Sequence, residues 1–246
     1  MSTYLVAFII GDLVNVEGKA IIDPKGREIS VRVYTYPGNL EKAERVLVYT
    51  IDSIRYYSET LKIPYPMSKL DSVILKSSSG AMENWGFVIY DEVMLFAWDV
   101  FGSKIEKIKL SLNTCHEIAH QWLGNLVTTR DWGNLWLNEG ISNWIQHKCS
   151  QRLVPDPDAK ARYYSEDYQR FLEIDSQLKS FPIVHNVKNS VESQKMLNGI
   201  TYFKGASVTN MLENFLGHDS FLSMITSYLK KNTAMEMLIQ MIYGNH

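Results

Sequence analysis

The chain has 246 residues, 46% of them hydrophobic, and a formal net charge of −2 at pH 7. That length buries a sizeable core in one large domain or two small ones, and a near balance of charge without like-charge runs argues against nucleic acid or an anionic membrane as the main partner. The two cysteines, Cys115 and Cys149, imply no disulfide framework, and Cys115 reads as a buried inert thiol.

The apolar run Tyr4 to Ile10 has neither a basic start nor a small-residue cleavage site, so it reads as a strand and not as a signal peptide. It looks like the last strand of an N-terminal unit otherwise outside the chain, which assigns residues 1–11 to that unit. No apolar run approaches the length of a bilayer span, so no membrane contact is expected from this segment. The absence of any N-x-S/T sequon leans towards an intracellular, cytoplasmic chain.

Ala20 to Ile22 and Glu28 to Tyr34 read as strands joined by the turn Asp23-Pro24-Lys25-Gly26. Glu41 to Leu61 places Ala43, Val46, Leu47, Ile51 and Ile54 at helical spacing, and Pro64 and Pro66 follow its end. Leu70 to Leu75 and Phe87 to Phe96 read as further strands. Between them, Gly80-Ala81-Met82-Glu83-Asn84 is a glycine-started turn running into a strand. An exposed edge here can pair with an extended peptide, and Glu83 can fix a substrate's ammonium group. A solvated loop glutamate is the plainer alternative.

Ser111 to Gly124 carries the densest chemical signal. Lys107 to Leu123 lacks Pro and Gly, with Gly124 as a stop, so the segment is expected to be helical. His116 and His120, four residues apart, then project from one face and can share a zinc ion. Glu117 lies beside them as a candidate general base that takes a proton from water. A catalytic zinc takes three protein ligands. Glu139 supplies the third, separated from His120 by eighteen intervening residues and on the next helix, Asn138 to Cys149. This His, His, Glu spacing is that of the thermolysin-like zinc peptidases.

Pro155 and Pro157 mark a loop before a polar, Tyr-rich helix from Ala159 to Lys179. Asn189 and Glu192 form a capping box. Ile200 to Ala206 leads into a helix from Ser207 to Leu216 that stops at Gly217, and Asp219 caps a last helix reaching Lys230. Tyr202 offers an uncharged hydrogen-bond donor, although any one tyrosine taken alone is more simply a core residue.

Together, GAMEN at Gly80 to Asn84, HEIAHQWLGNLVT at His116 to Thr128, LWLNEG at Leu135 to Gly140 and ITYFKGASV at Ile200 to Val208 resemble one family. It is the zinc aminopeptidases of the alanyl, glutamyl and puromycin-sensitive type, gluzincins related to leukotriene A4 hydrolase. The resemblance implies one Zn2+ per chain held by His116, His120 and Glu139, with Glu117 as general base. It implies that Tyr202 hydrogen-bonds the oxyanion. Substrate is bound by Gly80, Ala81, Met82, Glu83 and Asn84, with Glu83 gripping the free α-amino group of a peptide. Residues 12–232 would be the thermolysin-like catalytic domain and 233–246 a divergent tail. Family members are several times longer. Ile141 to Gln146 reads ISNWIQ where relatives resemble FASYVE, and Phe181 replaces a common His.

The expected architecture is α+β: a small mixed sheet whose edge borders the cleft, then a mostly helical lobe carrying Glu139 and Tyr202. The leading expectation is a zinc aminopeptidase. Alternatives are an inactive zinc- or peptide-binding fragment of one, and, with less support from Glu83, an endopeptidase. Nothing in the sequence sets the oligomeric state.

Overall fold

Val14–Ile21 (β1) and Glu28–Thr35 (β2) pair as an antiparallel hairpin across the expected turn, where Gly26 takes a φ of 79°. The computed structural model describes residues 2–76, 80–96 and 102–243, with the backbone alone at position 190 and at 233–243. Leu40–Thr60 (α1) carries the chain back, so that Lys69–Leu75 (β3) runs parallel to β2 and Phe87–Asp91 (β4) parallel to β3. The result is a mixed sheet of order β1-β2-β3-β4. Alternation along β2 buries Ile29, Val31 and Val33, which share one core with Ala43, Val46, Ile54 and Tyr57 of α1. The helix approaches β1 closely because position 18 is glycine: a Cβ there would lie 2.7 Å from Ile51 Cδ1.

After Glu92–Phe96 (α2) the chain is helical. Lys104–Ala119 (α3) is opened by Ser103, whose hydroxyl accepts the Glu106 N–H at 3.1 Å. The Tyr57 hydroxyl donates to the Cys115 carbonyl at 2.8 Å and ties α3 to α1. Trp136–Leu153 (α4) lies against α3, with the Ser111 and Ser150 hydroxyls 2.6 Å apart. Ala159–Tyr163 (α5), a π-helical turn at Tyr164–Tyr168 and Gln169–Asp175 (α6) follow without a break. The capping box at Asn189 forms, its side chain accepting the Glu192 N–H at 3.0 Å, and begins Ser190–Lys195 (α7). A second π-helical turn, Ile200–Lys204, runs into Gly205–Leu216 (α8), and Gly217 separates that from His218–Tyr243 (α9). The small mixed sheet and helical lobe make the fold α+β, as expected. Among the described residues no helix is long and apolar enough to cross a membrane.

The metal-binding helix stops at Ala119, short of the expected Leu123, and residues 120–127 form turns; four further readings change. Tyr4 to Ile10 is not a strand: Thr3–Leu5 is a 3₁₀ turn, and Val6, Phe8 and Ile10 pair with nothing in the sheet and stand exposed. Phe87 to Phe96 is half strand and half helix, because the Asp91 carboxylate accepts the Met94 N–H at 2.9 Å and turns the chain into α2. The last helix runs past Lys230 to Tyr243.

The fourth concerns the cysteines. Cys115 and Cys149 are joined in a disulfide, with Cα atoms 6.0 Å apart, cross-linking α3 to α4. Neither is the free thiol that their number suggested; a single pair leaves no spacing signature, and only helix packing brings the two together. The cross-link closes a separation of 34 residues. In the chain-entropy account this stabilises by about 4 kcal/mol. The double variant Cys115→Ser, Cys149→Ser is expected to lose about that much in denaturant unfolding. Unreduced, denatured wild-type protein should show no titratable thiol; two thiols there would refute the pairing.

Candidate active site

The end of α3, the start of α4 and the π-helical turn before α8 converge. His116 and His120 share one face of α3, as their spacing dictates, with ring centroids 4.7 Å apart. Their Nε2 atoms are 3.1 Å apart. Glu139, on the first turn of α4, places Oε2 at 3.3 Å from His116 Nε2 and 3.2 Å from His120 Nε2. His120 Nδ1 lies 2.9 Å from the Leu123 carbonyl. A carbonyl only accepts, so the neutral ring carries its proton on Nδ1 and turns the Nε2 lone pair inward.

These three side chains fit a metal ion. Their ligand atoms all lie within 4.8 Å of one another. Ligands at ordinary zinc distances in a tetrahedron stand about 3.3 Å apart, close to the spacings seen here. The charge agrees: Glu83, Glu117 and Glu139 are all buried around the two imidazoles. Burial opposes a charge on His120, yet Glu139, Glu83 and Glu117 together push its pKa up to about 10. Burial likewise opposes ionisation of Glu139, but the imidazoles of His120 and His116 hold its carboxyl below the usual range. Such a cluster calls for positive charge.

Glu117 is 4% exposed. Burial raises its pKa well above the ordinary carboxylate value; His120 opposes this, while Glu83 and Glu139 add to it. Tyr202 sits in the π-helical turn, its ring 5.9 Å from that of His116. Burial and then the carboxylates of Glu139, Glu117 and Glu83 raise its pKa, so the phenol keeps its proton and can serve as a neutral donor. Two glycines set this approach. A Cβ on Gly140 would lie 2.6 Å from Gly205 Cα, so the backbones of α4 and α8 touch where Glu139 and Tyr202 are carried.

The Gly80 to Asn84 segment lies along β4. Met82 exchanges both backbone hydrogen bonds with Ile89, at 2.8 and 2.9 Å. Glu83 is 8% exposed and Asn84 3%. The solvated-loop reading of Glu83 therefore fails: it is buried among the charged groups of the site. A cavity of 710 Å³ lies elsewhere, lined by the hairpin turn and the end of α1 (Ile21, Pro24, Arg55, Lys62).

Sequence reasoning missed several neighbours. Tyr4 comes close enough to Glu83 and Asn138 to interact with both, and burial followed by Glu83 and Glu139 raises its pKa. Ser142, in the segment that departs from FASYVE, places its hydroxyl 3.3 Å from His120 Nδ1. Gln121 and Asn125 both bond the Glu83 carbonyl. The available signal was polar side chains inside an otherwise apolar run, Gln121 to Val127.

The family model described as the Peptidase family M1 domain matches residues 46–242. The alanine/arginine aminopeptidase of Saccharomyces cerevisiae is 37% identical over 233 residues, 94% of this chain and 26% of that protein. Aminopeptidase M1-C of Oryza sativa subsp. japonica is 38% identical, with 94% and 26% covered. Endoplasmic reticulum aminopeptidase 1 of Homo sapiens is 35% identical, with 95% and 24% covered. The chain spans about a quarter of the length of the curated relatives it matches.

Proposed function

Since the chain belongs to peptidase family M1, we propose that it hydrolyses the first peptide bond of substrates with a free N-terminus, using one zinc ion held by His116, His120 and Glu139. The observation that carries this reading is the convergence of that ligand set beside Glu117, Tyr202 and Glu83. When bound, zinc polarises the scissile carbonyl and makes water more acidic.

The side chains divide the remaining work. Glu117 accepts the proton of the attacking water, and burial raises its basicity above that of an exposed glutamate. Tyr202 donates to the carbonyl oxygen as negative charge builds there. Glu83 pairs with the substrate ammonium and sets the distance to the scissile bond. In an extended segment, polar groups of alternate residues face opposite edges. Met82 turns its own towards β4, so Ala81, following Gly80, offers its N–H and C=O to a peptide on the outer edge.

Zinc content and hydrolysis of aminoacyl-amide reporters, measured together, test the reading. About one zinc per chain is expected, with turnover lost to a chelator and restored by zinc. N-acetylated reporters should not be cleaved, and Glu83→Ala should lose about a hundredfold in kcat/KM while keeping its zinc. Equal cleavage of blocked and free substrates would mean an endopeptidase. A second reading, binding without turnover, is favoured by an apolar groove of 230 Å³ between α4, α8 and α9, whose rim leaves Val208, Leu212, Met224 and Tyr228 partly exposed. Stoichiometric zinc without turnover on any reporter is the result that selects it.

A further inference from the structure

We infer that Gln121 and Asn125 are positioning residues that fix Glu83 relative to the metal ligands and end the edge on which a peptide can pair. The proposal rests on the reading of Glu83 as the amine-binding group. Its basis is a set of three buried hydrogen bonds. The Gln121 amide donates to the Glu83 carbonyl at 3.1 Å, and its oxygen accepts the Gly86 N–H at 3.0 Å. Asn125 donates to the same Glu83 carbonyl at 2.7 Å. Gln121 is 0% exposed and Asn125 2%.

Both residues belong to the turn that ends the metal-binding helix. His120 is its C-cap, Gln121 is the next residue, and the Asn125 N–H donates to the His120 carbonyl at 3.1 Å. A rigid path of two residues thus runs from a metal ligand to the backbone of Glu83. Without the two amides, that carbonyl would be buried and unpaired, and the segment would shift to find a partner.

The same bonds shape specificity. On the alternation described above, the Glu83 carbonyl shares the outer edge with Ala81. A peptide carrying further residues on the amino side of the one to be removed would need that carbonyl to continue pairing, and Gln121 and Asn125 already occupy it. The open edge therefore stops where the amine must bind.

Zinc-loaded Asn125→Ala and Gln121→Met chains are compared with wild type by calorimetric binding of leucinamide and of N-acetyl-leucinamide, together with kcat and KM. Expected are one zinc per chain in all three, leucinamide binding about tenfold weaker in Asn125→Ala and more so in Gln121→Met, and unchanged binding of the acetylated compound. The penalty should fall mainly on KM. Should Gln121→Met fail to fold, Asn125→Ala decides, since it removes one donor and leaves the other. Leucinamide affinity unchanged in Asn125→Ala, or both compounds weakened alike, would overturn the proposal. Glu83→Ala, measured alongside, separates the levels. If it leaves the preference for the free amine intact, the amine-binding reading fails and this inference with it. If it abolishes the preference while Asn125→Ala does not alter it, only the positioning role fails.

Discussion

Glu117→Gln is expected to lower kcat by about a thousandfold while the chain keeps one zinc and its fold. Gln has nearly the same shape, so the packing around a residue 4% exposed survives. What disappears is the acceptor for a proton. Zinc content and thermal stability measured alongside turnover separate loss of the base from unfolding. The sign of the pH dependence follows from the same environment. The working form of Glu117 is the carboxylate, and its raised pKa means that this form is lost at a higher pH than for an exposed glutamate. In wild type, kcat/KM should therefore fall with acidity through a pKa above the ordinary carboxylate value, and the residual rate of Glu117→Gln should lack that limb. Turnover within tenfold of wild type, with zinc retained, would exclude Glu117 as the base.

How legible each part was depended on how local its cause is. His116, Glu117 and His120 were readable because helical spacing alone puts the two imidazoles on one face, and Glu139 followed from the number of residues needed to reach the next helix. α1 came from helical periodicity that the structure keeps, and β2 and β3 from short apolar runs bounded by turn residues. Tyr4 to Ile10 has the composition of a strand, but a strand needs a neighbour, and none lies beside it among the described residues. The change from β4 to α2 was signalled by Asp91, a helix cap that with Glu92 divides two apolar stretches. The disulfide, the Gly140–Gly205 contact and the hold of Gln121 and Asn125 on Glu83 join residues 34 to 65 positions apart, and only tertiary packing creates them.

Tyr202→Phe is expected to lower kcat by about a hundredfold or more with KM little changed. The ring itself is structural: it packs near His116, and the Tyr202 carbonyl accepts from the Asn143 side chain at 3.4 Å. Phe keeps both of these but loses the hydroxyl's hydrogen bond to Glu139, so zinc content is to be measured alongside turnover. Only the hydroxyl is lost, and its value lies in the transition state, where the carbonyl oxygen gains charge inside a buried site. Local geometry supports such a role. Tyr202 lies in a π-helical turn, a rare form that is frequent at functional sites, and the Asn198 side chain accepts the Ile200 N–H at 2.9 Å at the start of that turn. Because burial and three carboxylates raise the phenol's pKa, its ionisation should contribute no alkaline limb near the usual tyrosine value. If Phe lowered kcat less than threefold, the oxyanion donor would have to be another group. If instead it raised KM at constant kcat, Tyr202 would be a binding residue acting equally on ground and transition states.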